Sequence, residues 1–222
     1  MSLEGFQVLI SNRDYLFHGL LVTLEVSVLG IALATLIGTV IGILRTYGGP
    51  VLAALLSVYV DVFRSIPLLV ILVWLFFVPP LLAGVTLSPF PTAVVGLGLH
   101  SGAYMAEIVR GGLGSVRAGQ TRAALALGMT RWQAIRRIVL PQALIRMLPP
   151  IGSLFAVTIK DSALAGVIAV EELLRQSQVL ASQTFRPFEI FTVVMIAYFL
   201  VIYPVARGVD YIYRRLAALG SS

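Results

Sequence analysis

Long apolar runs constrain this chain more than any other feature of its sequence. Residues 19–44 contain a single charged side chain, Glu25, and residues 51–78 contain only Asp61 and Arg64. A helix needs about 20 residues to cross the hydrocarbon of a bilayer, and both runs are long enough. Charged residues make up 12% of the chain, whereas they make up about 25% of a soluble domain. The sequence therefore predicts an all-α integral membrane protein.

We predict five membrane-spanning helices, of which the third and fourth are less apolar than the others. The spans lie at roughly 19–44, 51–78, 90–110, 148–170 and 188–207. Because the number of spans is odd, the two ends of the chain lie on opposite sides of the membrane.

The distribution of basic residues predicts the orientation, because cytoplasmic loops are enriched in lysine and arginine. With the N-terminus outside, eleven of the sixteen basic residues lie inside, among them the seven arginines of residues 110–146. The opposite orientation places those seven arginines outside. We therefore predict an outer N-terminus, an inner C-terminus, a cytoplasmic loop at 111–147 and an outer amphipathic segment at 171–187, within one domain at 1–222.

The composition argues against two other classes of protein. The chain has no cysteine, and its two histidines, His18 and His100, are far apart in sequence, so we predict no metal site. A formal charge of +6 is compatible with nucleic-acid binding. The arginines, however, lie between membrane spans, where they face the cytosol and lipid headgroups. We therefore predict membrane lipids as partners and no nucleic acid.

The basic segment has the sequence signals of two helices joined at a fixed corner. Residues 120–127 favour a short helix, and Gly128 suits the left-handed backbone at a helix end. Thr130 and Gln133 have the spacing of a capping box. Pro141 predicts the end of the second helix, because it has no backbone N–H. The alternative is a plain amphipathic helix held at the headgroups by arginines, but such a helix needs no corner.

The same segment carries a resemblance to a known family. "GQTRAALALGMTRWQAIRRIVLPQAL" resembles the signature loop of permease subunits from ATP-binding-cassette (ABC) importers. The matching residues are Ala123, Ala124, Gly128, Leu140 and Pro141. "SGAYMAEIVRGG", "IKDSAL" and "TFRPFE" are similar to the polar amino-acid branch, the histidine and glutamine type. The resemblance runs from about Gly19 to Leu216 and implies the type I importer permease fold.

The resemblance implies a coupling helix, at about 120–131, that docks on a separate ATPase subunit. The residues expected at that contact are Gln120, Ala123, Ala124, Leu127, Gly128, Met129 and Arg131. The chain has no G-x-x-x-x-G-K-[ST] loop, so ATP and magnesium are expected in the partner, with no catalytic residue and no cofactor here. Arg122 stands where the family has a glutamate, which reverses the charge at this contact.

Two pairs of charged residues at membrane depth have the spacing of ion pairs. Asp61 and Arg64 are three residues apart, as are Glu107 and Arg110, so each pair lies on one helical face. We predict both as structural pairs, because unpaired charges in a bilayer are costly. Pro67 predicts a kink in the second span.

A third group of polar residues is the candidate substrate pathway. Its members are His100, Ser101, Tyr104, Ser153, Lys160 and Asp161. By the resemblance, Asp161 would receive a substrate ammonium group and Lys160 would connect its helix to a neighbour. The alternative is that both are structural. His100 stands where the family often has an amide, so an interhelical hydrogen bond is its alternative role.

The sequence thus predicts a transport subunit rather than an enzyme. It would import a polar amino acid or a similar small zwitterion by alternating access. The expected partners are an ABC ATPase subunit, an identical or related second permease, and a periplasmic or lipid-anchored substrate-binding protein. The expected location is the bacterial inner membrane. A secondary transporter and a non-transporting scaffold are the alternatives, but the chain lacks the repeated halves usual in the former.

Overall fold

The computed structural model describes residues 3–219, and these residues form helices with no strand among them. The helices are α1 (Leu3–Ser11), α2 (Arg13–Tyr47), α3 (Pro50–Ser65), α4 (Leu68–Ala83), α5 (Pro89–Gly114), α6 (Ala118–Ala126), α7 (Arg131–Ala134), α8 (Leu140–Asp161), α9 (Leu173–Thr184) and α10 (Pro187–Leu219). A π-helical segment, Ile135–Val139, joins α7 to α8, and a 3-10 helix, Ser162–Ile168, follows α8. The predicted all-α class is confirmed for the described residues.

Length and composition identify the helices that can cross a membrane. Arg13–Tyr47, Arg131–Ile168 and Pro187–Ala218 are each long and apolar enough, and α3 with α4 would make a fourth, broken span. Helix α5, predicted as the third span, does not qualify by this criterion. It has 26 residues, and thirteen of them are buried inside the protein. The count of five spans and the orientation therefore remain predictions.

The second predicted span is two helices rather than one kinked helix. The axes of α3 and α4 differ by 103° across a break at residues 66 and 67. A proline disfavours helical angles in the preceding residue, and Ile66 is extended, with φ −94° and ψ 129°. Pro67 therefore ends α3 and directs the chain into α4.

Helices α2 and α5 approach each other closely because small residues recur every fourth position on α2. The series is Gly30, Ala34, Gly38 and Gly42. A Cβ atom at Gly42 would lie 2.6 Å from Cβ of Val109, and one at Gly38 would lie 2.7 Å from the carbonyl oxygen of Gly102. Close contact of this kind is how small residues associate membrane helices. It fixes the position of α5, the central helix.

We expect Gly38→Ala to destabilise the protein, because the added methyl group would overlap Met105 and the backbone of α5. Overpacking of this kind costs about 1–3 kcal/mol. The measurement is the midpoint of thermal unfolding of the purified protein in a mild detergent. Gly208→Ala is the matched control, since no atom lies within 4 Å of its added Cβ. Equal midpoints for the two variants would contradict the packing described.

The corner of the basic segment forms as the sequence predicts. Gly128 has φ +82°, and its N–H donates to the carbonyl of Leu125 at 3.0 Å. The N–H of Gln133 donates to Oγ1 of Thr130, and the N–H of Thr130 donates to Oε1 of Gln133. The predicted capping box and left-handed glycine are both confirmed. We name residues 115–139, which contain α6, the corner and the start of the next helix, the elbow.

The predicted helix end at Pro141 is wrong. The backbone N–H of Leu140 donates to the carbonyl of Ile135, five residues earlier, in the π-helical segment. This shift in register places Pro141 in the first turn of α8, where a missing N–H is tolerated. The helix is therefore long enough to run as one candidate span from Arg131 to Ile168. It begins well before residue 148, and the membrane boundary predicted there stays a prediction.

Two contacts brace the elbow against α8. Gln142 donates through Nε2 to Oε1 of Gln120. The guanidinium of Arg146 donates to the carbonyl and to the hydroxyl oxygen of Ser115. The start of the short helix α6 is thereby connected to the long helix that follows it.

A buried carboxylate caps α9, at the end of the long helices that lies opposite the elbow. Glu172 is 0% exposed, and it accepts hydrogen bonds from the N–H groups of Leu174 and Arg175 at 2.8 and 2.6 Å. The hydroxyl of Tyr198 on α10 donates to it at 3.1 Å. Burial raises the pKa of Glu172, and these three hydrogen bonds lower it by less.

The raised pKa of Glu172 predicts a pH dependence of stability. Because the folded protein favours the protonated carboxyl, this contribution to stability is present at low pH and is lost as pH rises through the raised pKa. Glu172→Gln replaces the carboxyl by a neutral amide of similar shape. We expect the unfolding midpoint of the wild type to fall, relative to that of the variant, as pH rises above the ordinary pKa of a glutamate. A difference between the two unfolding midpoints that stays constant as pH rises would contradict this account.

Candidate functional site

A cavity of about 540 Å³ lies between α3, α5 and α8, and we name it the central cavity. Polar and charged side chains face it together with apolar ones. The lining residues are Arg64, His100, Ser101, Tyr104, Glu107, Ile108, Pro150, Ser153, Leu154, Val157 and Asp161. Five of the six residues predicted for the substrate pathway lie here, all except Lys160.

Helix α5 supplies one wall, since His100 and Tyr104 lie one turn apart on the same face. Their ring centroids are 5.3 Å apart. Nδ1 of His100 is buried and has no hydrogen-bond partner among the described residues. Ser101 is 1% exposed, and its hydroxyl lies 2.9 Å from Oγ1 of Thr158 on α8. Ser101 therefore joins two helices, whereas Nδ1 of His100 is buried without a hydrogen-bond partner among the described residues.

Arg64 does not form the predicted ion pair with Asp61: among the described residues, no ion pair joins them. The guanidinium of Arg64 instead lies over the ring of Tyr104, 5.3 Å from its centroid. The hydroxyl of Tyr104 also donates to the carbonyl of Arg64 at 3.4 Å. The end of α3, just before the break at Pro67, thereby places a cation on the wall of the central cavity.

Glu107 is held by two arginines. Nη1 of Arg45 on α2 lies 2.5 Å from Oε1 of Glu107, and Nη2 of Arg110 lies 2.7 Å from Oε2. The expected contact between Glu107 and Arg110 is present, and Arg45 is an additional partner from a distant part of the sequence. Both carboxylate oxygens are occupied, so Glu107 is not available as a free anion in the cavity.

Helix α8 separates its two neighbouring charged residues. Successive residues of a helix point about 100° apart, so Asp161 faces the central cavity while Lys160 faces α10. Lys160 lines a second hollow of about 520 Å³ with Tyr198 and Tyr203, and a third of about 310 Å³ with Asp210. Asp161 interacts electrostatically with His100 and with Lys160. The structure therefore places Asp161, but not Lys160, in the central cavity.

The central cavity thus combines a cation, an anion and hydrogen-bonding groups on a largely apolar wall. Arg64 is exposed and Asp161 is partly exposed, and neither forms an ion pair with another described residue. Sites for small ligands commonly have this composition, an apolar wall with a few polar groups that fix orientation. Chemically, the arrangement suits a small molecule that carries both a carboxylate and an ammonium group.

The residues predicted to contact an ATPase lie in the elbow, but they face different directions. Ala124 is 4% exposed and faces the protein, whereas Gln120 is exposed and its side chain accepts a hydrogen bond from Gln142. Leu127 is 82% exposed at the corner. Ala123 and Arg131 are also exposed, and Met129 is half-buried. The elbow therefore presents exposed apolar side chains, Leu127 above all and also Trp132, which is 68% exposed.

Comparisons with known proteins give a consistent result over nearly the whole chain. Residues 20–218 match the family model described as "Binding-protein-dependent transport system inner membrane component". The glutamine transport system permease protein of Escherichia coli (strain K12) is 41% identical over 84% of this chain and 85% of its own length. The glutamate/aspartate import permease protein of Escherichia coli O157:H7 is 33% identical over 94% of this chain and 96% of its own length.

Solved structures agree in fold. A crystal structure of an amino acid ABC transporter with histidines has 31% identity and a TM-score of 0.88, over 97% of this chain and 100% of that chain. An inward-facing structure of the MetNI methionine ABC transporter has 22% identity and a TM-score of 0.78, over 97% of this chain and 99% of that chain. The second likeness concerns the fold alone. The expected fold, that of a type I ABC importer permease, is confirmed.

Proposed function

The chain belongs to the family of inner membrane components of binding-protein-dependent transport systems, and from this premise we propose how it transports its substrate. It is the permease subunit of an ABC importer for amino acids. It is not an enzyme, because ATP is hydrolysed in a separate subunit of such importers, which uses ATP and magnesium. We propose that the central cavity is this chain's share of the translocation pathway.

The main support for the proposal is that the central cavity is lined by two side chains of opposite charge, Arg64 and Asp161, neither of which forms an ion pair with another described residue. Arg64 would contact the carboxylate of an amino acid, and Asp161 would contact its ammonium group. Tyr104, which lies against Arg64, and His100, with its unpartnered Nδ1, would add contacts to the polar side chain. Ser153 lies on the same wall and would take part in the same way. The substrate would then be a polar amino acid or a similar small zwitterion.

A second permease would close the pathway. Arg64 is exposed on the surface of this single chain, yet a charged side chain at the centre of a bilayer costs about 2.5–3.5 kcal/mol on insertion scales. The second copy, identical or related, would cover these charges and complete the cavity wall. Lys160 and Asp210, on the α8–α10 hollow, are further charges that a neighbouring subunit would cover.

The other partners would bind at opposite ends of the permease. The ATPase subunit would bind at the elbow, which lies on the cytosolic side in the predicted orientation. A substrate-binding protein would bind at the outer side, where α9 covers the ends of α2 and α10. The membrane would be the bacterial inner membrane, in keeping with the family's description.

Reconstitution into lipid vesicles tests the proposal. Vesicles containing the permease, its ATPase and its binding protein should accumulate a radiolabelled polar amino acid only when ATP is present on the ATPase side. Uptake by the permease alone, driven by an ion gradient, would favour the alternative of a secondary transporter. Failure of the permease to associate with any ATPase would favour a scaffold.

We expect Asp161→Asn to raise the substrate concentration needed for half-maximal stimulation of ATP hydrolysis by about tenfold or more. The substitution removes a charge-assisted hydrogen bond to the ammonium group, and such bonds contribute about 1.5–3 kcal/mol. Asp61→Asn is the matched control, because it removes the same charge from a residue that does not line the central cavity. Unchanged apparent affinity and turnover for Asp161→Asn would remove this residue from the pathway.

A further inference from the structure

The elbow and the helices that flank it carry positive charge and no negative charge. Between Glu107 and Asp161 the sequence contains seven arginines, one lysine and no acidic residue. Two of the arginines have partners within the chain, since Arg110 pairs with Glu107 and Arg146 donates to Ser115. The remaining five form no side-chain hydrogen bond or ion pair among the described residues. They are Arg117, Arg122, Arg131, Arg136 and Arg137.

Among these five, Arg122 occupies the outward face of α6. Ala124 is the buried residue of this helix, at 4% exposure. Arg122 lies two positions earlier and therefore points about 200° away from Ala124 around the helix axis. Its side chain is exposed. The face of α6 that points away from the chain is therefore centred on a cation.

An apolar side chain projects from the end of the same helix. Leu127 is 82% exposed at the C-terminal end of α6, one residue before Gly128. The N–H of Met129 donates to the carbonyl of Ala124 at 3.1 Å, which fixes the end of the helix. The braces to Gln142 and Arg146 fix its other end. Arg122 and Leu127 are thus held in a constant relation to each other.

We infer that the elbow binds an acidic groove on the ATPase subunit, in which a carboxylate faces Arg122 and an apolar pocket receives Leu127. The inference rests on the proposed function, which supplies the ATPase. A guanidinium that enters a protein interface loses its water, and this is costly unless an anion replaces the water. Because this chain provides no acidic residue in the elbow, the anion comes from the partner.

A lipid surface fits these observations less well. Anionic headgroups attract arginines wherever they lie on an amphipathic helix, and they require no fixed corner. The elbow instead holds its most exposed apolar side chain, Leu127, beside the left-handed Gly128, and the start of α6, which carries Arg122, is hydrogen-bonded to α8. This geometry matches a shaped protein groove, and lipid binding becomes an outcome that the experiment distinguishes.

The experiment compares Arg122→Glu, Arg122→Gln and Arg214→Glu in the otherwise complete permease, in nanodiscs of neutral lipid. The probe is the purified ATPase subunit that co-purifies with the wild type, and its dissociation constant is measured over a range of salt concentrations. We expect Arg122→Glu to weaken binding about tenfold or more at low salt and Arg122→Gln to weaken it less. Arg214→Glu makes the same charge change in the C-terminal part of α10 and should bind within about twofold of the wild type.

Further results decide between the explanations. A charge reversal at the acidic position of the ATPase groove should restore binding to Arg122→Glu. Binding of Arg122→Glu that equals the wild type overturns the inference but leaves the proposed function intact, whereas a wild type that binds no ATPase overturns both. Loss of binding to vesicles of anionic lipid, with unchanged ATPase binding, shows that the elbow contacts lipid and also overturns the inference. Equal unfolding midpoints for wild type and Arg122→Glu exclude misfolding.

Discussion

The close contact between α2 and α5 determines where the central cavity lies. Small residues at every fourth position of α2 allow the backbones of the two helices to approach, and side chains of α5 fill the space above them. Helix α5 carries His100, Tyr104 and Glu107, which form one wall of the cavity. If the two helices were farther apart, Arg45 on α2 would no longer reach Glu107.

Helix α2 also connects the two ends of the permease. At one end, Arg45 pairs with Glu107 beside the central cavity. At the other end, the hydroxyl oxygen of Thr23 accepts a hydrogen bond from the N–H of Leu173, the first residue of α9, at 3.0 Å. A movement of α5 driven from the elbow would therefore act on a helix whose opposite end holds α9. Alternating access requires a link of this kind between the two sides.

Local sequence signals predicted local structure well, but they did not predict contacts between residues that are far apart in the sequence. The glycine corner and the capping box depend on residues within a few positions of each other, and both form as predicted. Pro141 misled the prediction because a π-helical segment, which has no sequence signature, moves it into the first turn of α8. The pair of Arg45 and Glu107 spans 62 positions. The stacking of Arg64 on Tyr104 depends on the break at Pro67. The sequence locates this break but does not give the angle between the axes of α3 and α4.

Alternating access of the central cavity is the central claim, and the absence of cysteine from the chain makes it directly measurable. Ser153 lines the cavity and is exposed, so Ser153→Cys supplies a single thiol in this chain, and the maleimide label on this chain is read out separately from label on its partners. A membrane-impermeant maleimide should label it from one side of the vesicle membrane without nucleotide and from the other side when ATP hydrolysis is trapped with vanadate. Labelling from the same side under both conditions would contradict the account.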